Sequence, residues 1–382
     1  MYSLRDYGWM IADNGRTAAY AEALKRRVTP NSVVVEIGTG SGFFALLAAR
    51  LGARKVYAIE YGDAIQFGRD TALANGLEGK IEFIQNLSTE VQLPEKADVV
   101  VCEIHGILPP FQGSLKAIMD ARDRFLAPGG HLIPQRETLW AALVESAERH
   151  YKFAGVWGGH EYGIDMTAIR PAAVNSWEKA EFRPGELITA PERWAVLDYA
   201  VLASPHVRGE TQWEIQEDRT AHGVGAWFDW EGVEGVNFSN SPLSGERHIF
   251  GQGFFPWPAP VKLRRGDRVH VVLRLDSVGT NYVQGWETSV RGPNGDTRAT
   301  FRQSDFVGAT LSTTGLKKRS SAYVPKLTDD GRMDLLILNR AATGATTLEQ
   351  IARDLSTNFP HRFPSWTDAM SRVSDLSLRY SE

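Results

Sequence analysis

The sequence predicts an α/β protein in three parts: a doubly wound, Rossmann-like parallel sheet, an antiparallel β-barrel or sandwich, and a small helical domain. Three observations carry that reading. Residues 33–60 run strand, glycine-rich turn, helix, strand and acid, the first half of a nucleotide-binding βαβ unit. After Pro134 the texture changes to short alternating segments divided by Gly, Pro, Asn and Asp, as in antiparallel sheets. The last sixty or so residues return to helical periodicity. The domains expected are 1–134, 135–322 and 323–382.

Each element has its own reason. Val33-Val34-Val35 is a continuous β-branched run, suited to a strand buried on both faces. It ends at Glu36 and enters Gly38-Thr39-Gly40-Ser41-Gly42. Phe43 to Leu51 repeats apolar residues at helical spacing until Gly52 stops it. Lys55 to Ile59 is a second strand, closed by Glu60, an acid able to accept hydrogen bonds from ribose hydroxyls. Upstream, residues 1–28 read as helical, with Met10 to Ala12 and Arg16 to Leu24 rich in helix formers. Downstream come a helix over Asp63 to Asn75, a strand over Lys80 to Ile84, and a buried strand, Ala97 to Cys102, ending in Glu103. Gln112 to Phe125 reads as a helix, and Pro128-Gly129-Gly130 turns the chain into a strand at His131 to Ile133. Ligands of such sheets lie outside the carboxyl ends of the strands, where Glu36, Glu60 and Glu103 all fall. In the β region, Trp194 to Leu202, Val224 to Trp230 and Asp267 to Leu275 read as strands. In the tail, Thr346-Thr347-Leu348-Glu349 is a capping box opening a helix with Leu348, Ile351 and Leu355 on one face. Asn358 to Phe363 is a loop before a second amphipathic helix, Trp366 to Leu378.

Composition narrows the functional classes. A chain of 382 residues is long enough for two or three domains. A net charge of −4 leaves no broad basic field, so neither nucleic acid nor an anionic membrane is expected as partner. No apolar run could span a bilayer, and the N-terminus lacks a signal-like core. The single cysteine, Cys102, rules out an internal disulfide and agrees with a reducing, cytoplasmic location. No His/Cys/Asp cluster has metal-ligand spacing, so no metal is expected. The eleven tryptophans read as core and pocket walls.

The glycine spacing separates two ligand classes. Dinucleotide folds use G-x-G-x-x-G, whereas here the pattern is G-x-G-x-G with Glu36 before it. That resembles motif I of class I S-adenosylmethionine-dependent methyltransferases, whose cofactor carries an adenosine but no phosphate. Over residues 2 to about 303 the chain resembles one family of that class, the protein arginine methyltransferases. Met10, Asp13, Arg16-Thr17 and Tyr20 are similar to the family's cofactor-covering helix, which implies that Arg16 pairs with the carboxylate of the methionine part. GARKVYAIE (52–60) is similar to the strand bearing its ribose-binding acid. LPEKADVVVCE (93–103), followed by His105-Gly106, resembles the strand and hairpin carrying its first catalytic glutamate. ARDRFLAPGGHLIP (121–134), YGIDMTAI (162–169) and VKLRRGDRV (261–269) resemble the connector and motifs of its barrel.

The resemblance implies S-adenosylmethionine as cofactor. It also implies a cofactor-binding set of Met10, Arg16, Glu36, Gly38, Thr39, Gly40, Gly42, Glu60, Tyr61, Ser88, Thr89 and Glu103. The catalytic set it implies is Glu103, Gln112, His105 and His248. Two departures stand out. The family places two glutamates nine residues apart to clamp a guanidinium, and the second position here is Gln112. Its Thr-His-Trp loop is only partly kept, as Arg247-His248-Ile249. The family also implies a homodimer, although no dimerisation arm stands out. The tail, LILNRAATGATTLEQIARDLSTNFP (336–360), loosely resembles small winged-helix domains that hold leader peptides in peptide natural-product maturation; a helical domain for packing or dimerisation is the alternative.

Methyl transfer from a sulfonium is an in-line displacement in which the protein positions and desolvates the acceptor. Glu103 suits a nitrogen acceptor, as charge partner and proton acceptor. A guanidinium, with a pKa above about 12, benefits from two carboxylates, whereas an alkyl amine needs less. The expected activity is therefore methylation of a peptide- or protein-borne nitrogen, amine or guanidinium. A small-molecule N- or O-methyltransferase and a non-catalytic peptide-binding module are the alternatives.

Overall fold

A computed structural model describes residues 3–159, 162–310 and 312–381. Met1 and Tyr2 of the predicted N-terminal helical stretch, and Glu382 of the tail, lie outside them. The chain divides into two compact units between Ala309 and Thr310, upstream of the 322/323 boundary expected from the sequence.

The first unit opens with α1 (Leu4–Ala12) and α2 (Asn14–Arg27). Asp13 caps α2, its carboxylate accepting the Arg16 N–H at 3.2 Å. The buried residues of α2, namely Arg16, Ala19, Tyr20, Ala23 and Leu24, recur at three- and four-residue steps and so share one face. Then follow β1 (Val33–Ile37), α3 (Phe43–Arg50), β2 (Lys55–Glu60), α4 (Ile65–Ala74), β3 (Ile81–Gln85), β4 (Ala97–Cys102), α5 (Ser114–Arg124) and β5 (Leu126–Ile133). Their strands pair in parallel in the order β3-β2-β1-β4-β5. The order reverses between β1 and β4, so a crevice opens above the carboxyl ends of those two strands. Every residue of β1 is buried, as its unbroken apolar run predicts. Ala45, Ala48 and Ala49 on the buried side of α3 let that helix lie close against the sheet.

Two boundary differences in the parallel half have a local cause, and in the antiparallel half the strand read over Trp194 to Leu202 stops at Asp198. Helix α5 begins at Ser114 because Gln112 has a left-handed backbone, φ +47°, which no helix accommodates. Strand β5 starts at Leu126, before the Pro128-Gly129-Gly130 turn. Leu126 pairs with Ala97 and His131 with Val99, so the turn is a bulge within the ladder.

A cis Ile133–Pro134 bond leads into the antiparallel half. This half contains β6 (Arg136–Val144), α6 (Ala147–Phe153), α7 (Arg170–Ala173), β7 (Glu178–Ala180), β8 (Glu192–Asp198), β9 (Val207–Glu214), β10 (Arg219–Val233) and β11 (Val236–Ser239). It continues through β12 (Gln252–Leu263), β13 (Arg268–Val278), β14 (Asn281–Arg291), β15 (Thr297–Ser304) and α8 (Asp305–Gly308). One sheet has the order β7-β12-β10-β6-β8, with β11 on β10; the other has β15-β14-β13-β9. Trp230, Trp257 and Trp286 are buried there, as core tryptophans are expected to be. They belong to the same apolar cluster as Val34, Val100 and Ile133 of the parallel sheet, so the two halves of the unit share one core.

The second unit contains α9 (Thr313–Lys318), α10 (Asp329–Ala341), α11 (Leu348–Asn358) and α12 (Trp366–Tyr380). Met333, Ile337, Ile351, Leu355 and Val373 form its core. The capping box of α11 uses Thr347 and Gln350, one residue later than Thr346 and Glu349. No strand occurs among its described residues, so it lacks the β-hairpin of a winged helix and any likeness is confined to the helices. Among the described residues, no helix is long and apolar enough to cross a membrane, and no group of three or more His, Cys, Asp or Glu could hold a metal.

Candidate active site

The glycine turn is built so that side chains stay out of it. Gly38, Gly40 and Gly42 have φ of +73°, +53° and +86°. A Cβ on Gly38 would lie 2.4 Å from Ile104, and one on Gly40 would lie 2.5 Å from the Tyr7 ring of α1. Glu36 braces the turn from below: its Oε2 accepts the Thr39 hydroxyl at 2.5 Å and the Ala45 N–H at 2.7 Å. Burial pushes this carboxyl up to about 8 although those donors oppose the shift. Glu36 and Thr39 thus serve the turn itself.

Glu60 closes β2 beside the turn. Its Oε2 accepts the Gly40 N–H at 3.0 Å and its Oε1 the Gly62 N–H at 2.8 Å. Each carboxylate oxygen can accept a further hydrogen bond, which leaves capacity for a diol. Tyr61, next in line, is exposed. The Asn86 N–H donates to the Glu60 carbonyl at 3.1 Å, which brings the Ser88–Glu90 turn to the same end of the sheet. Ser88 is buried there and Thr89 is exposed.

Across the switch point, Arg16 and Glu103 form a paired fork. Arg16 Nη2 lies 2.8 Å from Glu103 Oε2, and Nε donates to Oε1 at 3.2 Å. Arg16 Nη1 donates to the Met10 carbonyl at 3.0 Å, which is the part of Met10 that reaches the site. The two side chains are 4% and 14% exposed. Burial alone would raise the Glu103 carboxyl, but Arg16 and His105 outweigh it and hold it down at about 2. The guanidinium also faces the rings of Tyr20 and Phe44, at 5.6 and 5.4 Å. Arg16, expected opposite a cofactor carboxylate, therefore has Glu103 as its partner here.

The remaining candidates separate. His105 is buried beside Glu103, its Nδ1 3.9 Å from Glu103 Oε1 and 3.4 Å from the Tyr20 hydroxyl. His248 sits 2.9 Å from Asp13 Oδ1, while the Ile249 N–H donates to Asp13 Oδ2 at 2.9 Å. It thereby ties its loop to the cap of α2, one turn before Arg16. Gln112 is exposed, and among the described residues it makes no hydrogen bond to Glu103. No strand forms over residues 103–113, so the hairpin expected to set Gln112 opposite Glu103 is missing. Cys102 is buried in β4, and burial pushes its thiol up, as befits inert packing.

Two residues at this site escaped the sequence reading. Glu137, fully buried on β6, lies 2.9 Å from His105 Nε2, and its other oxygen accepts the hydroxyl of buried Tyr199. The signal was present. In Arg136–Val144 the strand period puts Glu137 on the same buried face as Leu139, Ala141 and Leu143, an odd place for an acid.

These residues fit an adenosyl sulfonium cofactor better than a nucleotide. The turn holds three left-handed glycines but no lysine or arginine for a phosphate, an acid with spare acceptor capacity ends the next strand, and a buried arginine stands nearby. The comparisons agree. Residues 15–135 match the family model for ribosomal protein L11 methyltransferase (PrmA), and residues 135–282 match that for the arginine methyltransferase oligomerization subdomain. Protein arginine N-methyltransferase 6 of Xenopus laevis is 28% identical over 253 residues, 63% of this chain and 74% of that protein. Protein arginine N-methyltransferase PRMT10 of Arabidopsis thaliana is 25% identical over 335 residues, 78% of this chain and 88% of that protein. In fold, the PRMT1 enzyme–prozyme heterotetrameric complex of Trypanosoma brucei with AdoHcy matches with a TM-score of 0.70 at 22% identity, covering 78% of this chain and 97% of that one. The chain is a class I S-adenosylmethionine-dependent methyltransferase. Within that class it is a relative of the protein arginine methyltransferases.

Proposed function

We propose that this enzyme methylates a nitrogen carried by a peptide or protein. The observation that carries the reading is Glu103: a partly buried carboxylate, held ionised, at the carboxyl end of β4, next to the glycine turn across the switch point. When bound, the cofactor supplies an electrophilic methyl group on sulfur. Arg16 would then hold its carboxylate, Glu60 its ribose, and the turn from Gly38 to Gly42 would allow close approach of backbone. Glu103 would accept a hydrogen bond from the acceptor N–H, aim the nitrogen lone pair at the methyl carbon, and take the proton released as the new N–C bond forms and the methyl's bond to sulfur breaks, its electron pair staying on sulfur. His248 would act at one remove, by fixing the cap of α2.

An arginine guanidinium is the first acceptor to test, because the relatives above are named for arginine methylation. A lysine-type amine is the second, because Glu103 is the carboxylate assigned to the acceptor and Gln112, which is exposed, is neutral. The tail unit from 310 onward would hold the substrate peptide, in keeping with peptide maturation, and the enzyme would work in the cytosol as a homodimer. The test is mass spectrometry of arginine-bearing and lysine-bearing peptides after incubation with enzyme and S-adenosylmethionine, with a chain ending at Ala309 in parallel. Methylation of either peptide by the full chain, weakened by the truncation, supports the proposal. Methylation of neither overturns it; turnover on a free small molecule that survives truncation favours the small-molecule alternative. Light scattering checks the dimer.

A further inference from the structure

A buried charged cluster lies behind Glu103 that the chemistry above does not use. His105, from the loop after β4, and Glu137, from β6, are 6% and 0% exposed. Their Nε2 and Oε1 atoms are 2.9 Å apart, an ionic contact without hydrogen-bond alignment. Around the imidazole the neighbours are few and can be named. Glu103 approaches from the same loop, with Arg16 of α2 behind it. The Tyr20 hydroxyl of α2 comes within 3.4 Å and itself accepts the Trp230 N–H at 3.1 Å. Tyr199, just past β8, donates to the far oxygen of Glu137. Phe228 and Phe250 close the remaining sides, at 5.9 and 6.1 Å between ring centres.

The charges decide the state of this cluster. With His105 neutral, the Glu137 side chain would be sealed among aromatic rings with one tyrosine donor and no counter-ion, a costly place for a carboxylate. With His105 protonated, each of its nitrogens faces a carboxylate. Burial pushes the imidazole down, yet Glu137 and Glu103 outweigh it and lift it to about 9. We infer that Glu137 is a positioning residue for methyl transfer, which acts by holding His105 as a fixed imidazolium against Glu103. The inference rests on the reading of Glu103 given above. Its consequence is specific. Once Arg16 turns to a cofactor carboxylate, Glu103 loses its nearest counter-ion, and His105 is the cation that keeps it ionised and oriented toward the acceptor.

The test uses the full chain. Imidazole nitrogens are followed by two-dimensional ¹H–¹⁵N NMR against pH, without acceptor, in wild type and in Glu137→Gln. In wild type the resonances of His105 should remain those of an imidazolium at pH 8; in Glu137→Gln they should become those of the neutral ring. With an acceptor peptide, the alkaline limb of kcat/KM should fall by more than one pH unit in the variant, with kcat reduced roughly tenfold or more and KM for the peptide nearly unchanged. Tyr199→Phe, which leaves the charge pair intact, should keep the limb within a few tenths of a unit of wild type. A neutral His105 at pH 7 in wild type overturns the inference even if Glu137→Gln fails to fold. An unmoved limb in a folded Glu137→Gln overturns it as well. If His105 titrates as stated but no nitrogen is methylated, the proposed function falls and the His105–Glu137 charge pair survives.

Discussion

Replacing Glu103 with glutamine separates two roles that the structure gives this side chain. In the free enzyme Glu103 is the partner of Arg16, a cation with 4% of its side chain exposed. Removing one member of such a buried pair leaves an uncompensated charge, at a cost of about 3–5 kcal/mol. For a chain of this size that lowers the melting midpoint by roughly 4–8 °C. Cofactor binding should respond in the opposite sense. Arg16 in Glu103→Gln no longer has to leave a carboxylate, so saturating S-adenosylhomocysteine should raise the midpoint at least as much as in wild type. Turnover should nevertheless fall by about 10²–10⁴, the usual contribution of a positioned base. Differential scanning fluorimetry with and without S-adenosylhomocysteine, beside a radiolabelled methyl-transfer assay, measures all three quantities. An unchanged midpoint for the free variant, or loss of the S-adenosylhomocysteine shift, refutes the account of the Arg16–Glu103 pair.

Gly40→Ala should abolish the S-adenosylhomocysteine melting shift, because φ is +53° and the new methyl would lie 2.5 Å from the Tyr7 ring; a shift of wild-type size would show that the turn is not the cofactor cradle. Asp13→Asn should lower the midpoint by several degrees and raise the KM for the cofactor, since Asp13 holds the Arg16 N–H, His248 and the Ile249 N–H together; steady-state kinetics and melting check both. Stability should also fall on the alkaline side. His105 rises from 6.5 to about 9 on folding and Glu36 from 4.5 to about 8, so the stabilisation tied to each proton is complete below the lower value and lost as pH climbs through the upper one. Glu103 acts in the other direction: held at about 2 against 4.5, it stabilises above 4.5 and ceases to do so as pH drops toward 2. The midpoint at pH 6 should therefore exceed that at pH 9.5, whereas between pH 6 and pH 3 the Glu36 and Glu103 contributions oppose each other; a flat profile between 6 and 9.5 would contradict the assignment.

The parallel sheet was legible because its signals are local. The β-branched run at Val33, the glycines from 38 to 42 and the acid after each strand act within a few residues, so spacing alone orders β1, α3 and β2. The antiparallel half was legible as a class but not in its pairing, because partners such as Gly223 and Val144 are joined across long stretches of chain that no periodicity records. Site residues divide along the same line. Glu36, Glu60 and Glu103 could be read from strand ends. The irregular path of residues 103–113 could not, since it depends on the positive φ of Gln112 and on Phe111 packing against Gly106.

Glu137 lies between those cases. Its sequence neighbourhood announces a buried acid, yet its partner is contributed by the other half of the unit, so the acid alone says nothing about purpose. Only the shared core, which brings Glu137 of β6 to the loop after β4, turns an anomalous strand residue into a counter-ion for His105. An acid that merely tolerated burial would be expected to protonate, as Glu36 does. Glu137 instead has the His105 ring 2.9 Å from one oxygen and a tyrosine hydroxyl on the other, so both of its oxygens face polar partners. The same cation faces Glu103, so the charge of the acceptor site is set jointly by both halves of the unit. Changes on β6 should consequently alter the chemistry at the end of β4 without touching either ligand.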